Sequence, residues 1–231
     1  MIWAVLPAKN FDQAKERLSP ALNALERKCL FRAMFEDVLA ALADAPSLAG
    51  VMVVTRDLEA IAISKPYGVR ILTEDKNNGQ TAAIEFAAAT LATENVDGIL
   101  TMPGDVPLAT SVEIEQVLDS HLELQERRMT IVPAHDERGS NCIVCSPPRL
   151  IPFQFGNDSF CPHLAAAEAR GVKSNIVKFS GIGLDIDRPE DLLVLLKRVE
   201  QTGEKGRAVT YLYDSGIASR LEVEANRVSS T

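Results

Sequence analysis

The chain has 231 residues, 46% of them apolar, with a net charge of −8 and a sequence pI near 5.0, so it can bury one sizeable core. Such an acidic balance argues against a nucleic-acid or anionic-membrane surface as the main partner, since either needs a basic face. No segment approaches the roughly 20 apolar residues of a membrane span, and residues 1–6 lack the basic flank of a secretory leader, so a cytoplasmic protein is expected.

In chain order, "IWAVLPA" (2–8) reads as the first strand, and "PAKNFDQAKERLSP" (7–20) as a strand-to-helix corner of the kind where α/β proteins place a phosphate. This corner has two lysines and an arginine but no glycine. With a helix starting near Phe11 to Ala14, Lys15 would point back at a phosphate lying over the strand end, flanked by Lys9 and Arg17. The alternative is a solvated basic helix start, because lysine there opposes the helix dipole. Helical spacing follows over 21–44, 80–94, 111–127 and 187–201, the last with Asp187 as a possible cap and Pro189 in its first turn. Between them lie the strand candidates 51–55, 69–74, 98–103, 129–134, 141–146 and 174–180. This alternation predicts an α/β fold, one domain over residues 1–203 with a mixed, mostly parallel sheet flanked by helices. Residues 204–231 form a tail: "AVTYLYDSGIASRLEV" is expected on the domain or on a second subunit of a homodimer, and "VSST" at the end is expected to be disordered.

Three patterns carry chemistry. "TMPGDVPL" (101–108) delivers Asp105 to a strand's carboxyl end, where a cation on a nucleoside triphosphate would sit; a turn-forming aspartate is the alternative. "GIGLDIDRPEDL" (181–192) places Asp185 and Asp187 on one side of an extended chain, able to share that cation, although Asp187 alone would also serve as a helix cap. "GSNCIV" (139–144) and "FGNDSFCPHL" (155–164) offer small residues and free amides for an acceptor phosphate, or are two ordinary loops. Of Cys29, Cys142, Cys145 and Cys161, the middle two have C-x-x-C spacing, but with no second pair they read as reduced strand cysteines.

The order of "PAKNFDQAKERLSP", "MPGDVPL", "GSN", "FGNDSFCPHL" and "GLDIDRPEDL" resembles the phospholactate guanylyltransferase family of coenzyme F420 biosynthesis, over roughly residues 3 to 200. The resemblance implies a nucleotide-diphospho-sugar-transferase-like, Rossmann-like fold. It also implies transfer of GMP from GTP to 2-phospho-L-lactate, phosphoenolpyruvate or 3-phospho-D-glycerate, with release of pyrophosphate. It makes Asp105, Asp185 and Asp187 ligands of Mg²⁺, and Lys9, Lys15 and Arg17 contacts of the triphosphate, with Lys15, Arg17 and Asp105 catalytic. Asn141, Gly156 and Ser159 become acceptor-phosphate contacts. Where the family has Gly-Leu-Asn-x-Ala, this chain reads "NNGQTAAIEFA", placing Gln80 and Thr81 where base or acceptor contacts are expected; Gly139-Ser140-Asn141 replaces Gly-Thr-Asn. A phosphate oxyanion needs no general base, so His163 is read as orienting the acceptor loop or capping a helix. A molybdopterin or sugar-phosphate nucleotidyltransferase, or a non-catalytic nucleotide-binding relative, is the alternative.

Overall fold

Every Val- and Ile-rich run singled out above becomes a strand. The computed structural model describes residues 1–76, 78–123, 127–156, 158–203 and 206–228. Among them β1 (Ile2–Ala8), β2 (Leu48–Thr55), β3 (Arg70–Leu72), β4 (Gly98–Thr101), β5 (Arg128–Pro133), β6 (Ser140–Ser146) and β7 (Ser174–Ile176) form one sheet in the order β3-β2-β1-β4-β6-β5-β7. Only β6 runs against the rest. The strand order reverses between β1 and β4, which opens a crevice at their carboxyl ends, where ligands of open α/β sheets bind.

Strands covered on both faces must be apolar on both faces, and the two sides of the sheet show this directly. Ala4, Leu6, Val53, Leu100 and Val144 pack against α1 (Ala24–Ala43) and α4 (Ser111–Leu122), while Val5, Met52, Ile99 and Ile143 pack against α3 (Gln80–Thr93) and the region of α5 (Phe160–Glu168). Cys142 and Cys145 fall on opposite faces, because residues three apart in a strand point apart. Both are buried and their thiols are pushed up by desolvation, so the C-x-x-C spacing forms no chelating or redox pair. Four described α-helices escaped the periodicity reading: α2 (Leu58–Ser64), α5, and α7 (Arg207–Asp214) and α8 (Ile217–Val228) in the tail. The first is started by Asp57, whose carboxylate accepts from the Glu59 and Ala60 amides.

The segment after residue 203 packs on the domain itself. Ala208, Val209 and Leu212 of α7 (Arg207–Asp214) and Ile217, Ala218 and Leu221 of α8 (Ile217–Val228) share a core with Leu30 and Met34 of α1 and with Leu192, Leu195 and Leu196 of α6 (Pro189–Thr202). The Asp37 carboxylate, on α1, accepts from the Arg207 and Ala208 amides and anchors the start of α7. Disorder was expected over residues 228–231; Val228 instead ends α8, while 229–231 and the boundary at 204–205 lie outside the described residues. No described helix is long and apolar enough to cross a membrane.

Two histidines are fully buried. His121 bridges Thr130 Oγ1 (3.1 Å) and Ser146 Oγ (2.9 Å), and desolvation, aided by Arg128, pushes it from 6.5 to about 3. His163 accepts from the Gln154 amide (2.9 Å) and faces Ser140 Oγ (3.0 Å); burial pushes it down to about 4. The unfolded chain takes up these protons near pH 6.5 while the native chain does not, so the stabilisation is complete above that pH and is lost on acidification. The urea midpoint is therefore expected to fall between pH 7.5 and 5, with a limiting slope of about 1.4 kcal/mol per pH unit for each histidine. A His121→Gln variant should show a shallower slope; a flat wild-type profile would contradict the assignment.

Candidate active site

The glycine-free corner does not start a helix, contrary to the sequence expectation. After β1 the chain makes two 3₁₀ turns, Phe11–Gln13 and Glu16–Leu18, and α1 begins only at Ala24, behind a capping box of Asn23 and Glu26. The reason is a buried aromatic. Phe11 inserts edge-on against Phe31 (5.1 Å between centroids) and Phe35 (5.5 Å), and its amide donates to Asp57 Oδ2 (3.0 Å). Leu18 is buried as well, which draws the intervening backbone inward. Lys15 takes a left-handed conformation (φ 56°, ψ 42°), unusual for a residue with a side chain, and its stem turns into the protein instead of outward.

Its ammonium meets the aspartates. Lys15 Nζ donates to Asp105 Oδ2 and to Asp187 Oδ1, the latter at 2.7 Å, and the lysine side chain is only 6% exposed. Arg17 Nη1 approaches Asp187 from the solvent side at 3.5 Å. Asp105 sits in the turn after β4, and its carbonyl accepts from the Ile186 amide (3.0 Å), which ties the two carboxylate loops together. Glu113 holds the second loop from behind by accepting from the Gly181 and Ile182 amides, both at 2.8 Å. A Cβ at Gly181 would overlap the Leu108 carbonyl, so this close approach needs glycine.

Asp187 is not the helix cap. The α6 start is held by Asp191, whose Oδ2 accepts from the amides of Asp187 (2.9 Å) and Arg188 (2.7 Å), leaving the Asp187 side chain free for Lys15 and Arg17. Asp185 lies apart from Lys15. It accepts from Asn141 Nδ2 (3.1 Å) and has His135 Nδ1 4.0 Å away. Burial raises its carboxyl to about 6, reinforced by the nearby charges of Asp105 and Asp187 and opposed by the Asn141 hydrogen bond. Burial alone would lower the Lys15 ammonium, but its two carboxylates outweigh that and raise it. Desolvation likewise pushes Asp187 up, and Lys15, with Arg17, brings it below the usual range.

The expected shared cation site is therefore not assembled as the sequence suggested: among the described residues no three His, Cys, Asp or Glu side chains could hold a metal ion as placed. An ammonium stands between Asp105 and Asp187 instead. The donor set nevertheless suits Mg²⁺, which takes hard oxygen ligands. Among the described residues Asp105 Oδ1 is buried with no hydrogen-bond partner, and burial, with the charges of Asp105 and Asp187, disfavours the ionised form of Asp185; a cation would relieve both.

The proposed acceptor contacts are only partly brought together. Asn141 is buried and its amide is committed to the Ile182 carbonyl (2.9 Å) and to Asp185, so it serves the carboxylate loop. Ser159 is also buried, and its hydroxyl accepts from the Ser140 amide (3.0 Å), stitching the two loops together. Gly156 is exposed and a Cβ there would meet open space, so nothing in the protein itself requires glycine. Asn157, between them, lies outside the described residues, as does Asn77 of the "NNGQTAA" segment. His163 does orient this loop, through Ser140 and the Gln154 amide. The Thr81 hydroxyl accepts from the Phe155 amide (3.0 Å) and joins α3 to the same loop. Gln80 and Lys9 instead line a cavity of about 530 Å³ between the ends of β1 and β2 and the start of α3.

The profile of the family described as "Guanylyl transferase CofC like" matches residues 2–230. The chain belongs to this family. It is 33% identical to a phosphoenolpyruvate guanylyltransferase of Roseiflexus castenholzii, an alignment covering 93% of this chain and 97% of the relative. It is 30% identical to a 2-phospho-L-lactate guanylyltransferase of Methanothermobacter thermautotrophicus, over 86% of each chain. The backbone matches a solved chain of Desulfovibrio desulfuricans G20, described as a nucleotide-diphospho-sugar transferase, with a TM-score of 0.75 at 16% identity, covering 95% and 97% of the two chains. This CofC-like chain thus has the nucleotidyltransferase fold that its motif order implied.

Sequence reasoning missed four residues of this CofC-like site. Asp57 and Glu113 had readable signals, an aspartate before a helix and a T-x-x-E run, but only as caps. Thr110 does cap α4, yet the Glu113 carboxylate reaches the 181–182 backbone instead of closing a capping box. His135 and Glu74 carry no local pattern, since what places them is the meeting of separate strand ends.

Proposed function

We propose that this chain transfers the GMP part of GTP to a three-carbon phosphate acid with release of pyrophosphate, as a step in assembling coenzyme F420. The observation that carries the reading is the convergence of Lys15, Asp105, Asp185 and Asp187 from three separate loops on the carboxyl edge of the sheet, beside a nucleoside-sized cavity. Asp105, Asp185 and Asp187 would hold Mg²⁺, which supplies neutralisation of phosphate charge when bound. Lys15 and Arg17 would supply the cations that meet the triphosphate. The acceptor's phosphate oxygen attacks the α-phosphorus. That new P–O bond forms as the α–β bridging bond breaks, and pyrophosphate leaves with the electron pair, its charge met by Lys15 and Arg17. The attacking oxygen is already ionised, so no histidine is needed as a base. The exposed backbone at Gly156 would offer its amide to the acceptor phosphate, with Ser159 and His163 setting the loop.

The test is a matrix of GTP, ATP, CTP and UTP against phosphoenolpyruvate, 2-phospho-L-lactate, 3-phospho-D-glycerate and a hexose 1-phosphate, read by mass spectrometry. A GMP adduct with one of the three acids and stoichiometric pyrophosphate is expected. An adduct with the sugar phosphate, or no adduct at all, would overturn the proposal.

A further inference from the structure

The cavity beside the carboxylates is lined by polar side chains of which most are already engaged. Asp57 caps α2 and accepts from the Phe11 amide, Glu59 and Asp12 pair with Lys28, and Arg56 Nη1 donates to the Asp75 carbonyl. Glu74 differs. It lines the same cavity, is half-buried, and no hydrogen bond or ion pair reaches its carboxylate among the described residues. Burial pushes its carboxyl up, and the charges of Arg56 and Lys9 oppose that from nearby, so an acceptor is held in a partly desolvated wall with no hydrogen-bond donor engaged among the described residues. Val54, Leu58 and Ala83 add apolar lining to the same cavity.

We propose that Glu74 selects the base, its two carboxylate oxygens accepting from the adjacent N1–H and N2 amino donors of guanine. This rests on the GTP reading above and names the residue that enforces it. A carboxylate is an acceptor only, so it matches an edge bearing two neighbouring donors and repels one that sets a lone pair against it. Guanine alone among the common bases presents that pair. Adenine and cytosine place a ring-nitrogen lone pair beside their amino group, and uracil flanks its single N–H with two carbonyls. The assignment also replaces the expectation for Thr81, whose hydroxyl is committed to Phe155, and leaves Gln80 a secondary place on the same wall.

The experiment is calorimetric binding of GTP, ITP and ATP to the full chain, wild type against Glu74→Gln, Glu74→Asp and Gln80→Ala. Inosine keeps N1–H but lacks the 2-amino group, so the wild type should bind ITP about tenfold or more weakly than GTP, the loss of one hydrogen bond to a charged group. In Glu74→Gln the GTP dissociation constant should rise about tenfold or more, while ATP, relieved of the carboxylate's repulsion, binds no more weakly than to the wild type and the GTP-to-ITP ratio collapses toward one. Glu74→Asp keeps the carboxylate and should retain the guanine preference. Glu74 is partly exposed and unpaired, so the melting temperature should not move. An unchanged GTP-to-ITP ratio in Glu74→Gln, or its collapse in Gln80→Ala instead, overturns the assignment. A wild-type chain that binds GTP no better than ATP overturns the guanylyl reading itself, which separates the two failures.

Discussion

Replacing Asp105 by Asn is expected to lower kcat/KM by about three orders of magnitude, roughly 4 kcal/mol of transition-state stabilisation, while the fold survives. The size follows from position. Asp105 is the carboxylate nearest the point where the sheet order reverses, its loop is bonded to the Asp185–Asp187 loop through the Ile186 amide, and one of its oxygens is buried with no partner. An amide at this place removes the charge and offers a donor where a cation would approach. Folding should be little affected, because Lys15 keeps Asp187 at 2.7 Å. The variant also separates two readings of the neighbouring loop. Asp187→Asn should lose turnover as Asp105→Asn does, whereas Asp191→Ala, which removes the acceptor for two amides at the α6 start, should mainly lose about 1 kcal/mol of stability. Steady-state rates and thermal melts of the three variants decide it; an Asp105→Asn enzyme within tenfold of wild type would remove that residue from the chemistry.

The strands and the order of the carboxylate-bearing loops were legible because both are local: a run of branched apolar residues bounded by turn formers needs no knowledge of its neighbours. What the sequence could not show is direction. The helix expected at Phe11 is absent because Phe11 and Leu18 are drawn into the core, and that follows only from where Phe31, Phe35 and Asp57 end up. The alternating-residue argument put Asp185 and Asp187 on one side of an extended strand. In the irregular loop that forms instead, Asp185 faces Asn141 and Asp187 faces Lys15. The C-x-x-C pair was read rightly as reduced strand cysteines because its setting is local: the segment is a regular strand, so three residues separate the thiols onto different faces. The "GQTAA" departure was legible as a departure, but its two residues part ways, Gln80 into the cavity and Thr81 onto Phe155. Short helices such as α2 and α5 give too few turns for periodicity to register.

Lys15→Met should produce two effects of opposite sign, and together they test what the lysine does before any substrate binds. Methionine keeps most of the stem's packing and removes the charge. Asp105 and Asp187 are then left facing one another without the ammonium that now lies between them. Breaking a buried ion pair by removing one partner costs about 3–5 kcal/mol; the low end, about 3, applies here because Asp187 is 41% exposed and water screens part of the repulsion. At neutral pH and in chelator the variant should therefore melt at a lower temperature than wild type. Adding Mg²⁺ should then raise its melting temperature more than that of the wild type, since the ion no longer has to displace a bound ammonium from two of its ligands, and ligand binding to the native state stabilises by mass action. Turnover should move the other way and stay low at any Mg²⁺ concentration, with pyrophosphate release about a hundredfold slower, because the departing charge has lost its cation. Thermal melts with and without Mg²⁺, set beside single-turnover rates, resolve the two roles. A variant whose melting temperature gains no more from Mg²⁺ than the wild type would mean that the ammonium and the metal do not share these carboxylates, and unchanged turnover would place Lys15 outside the reaction, as an internal counter-ion for two loops.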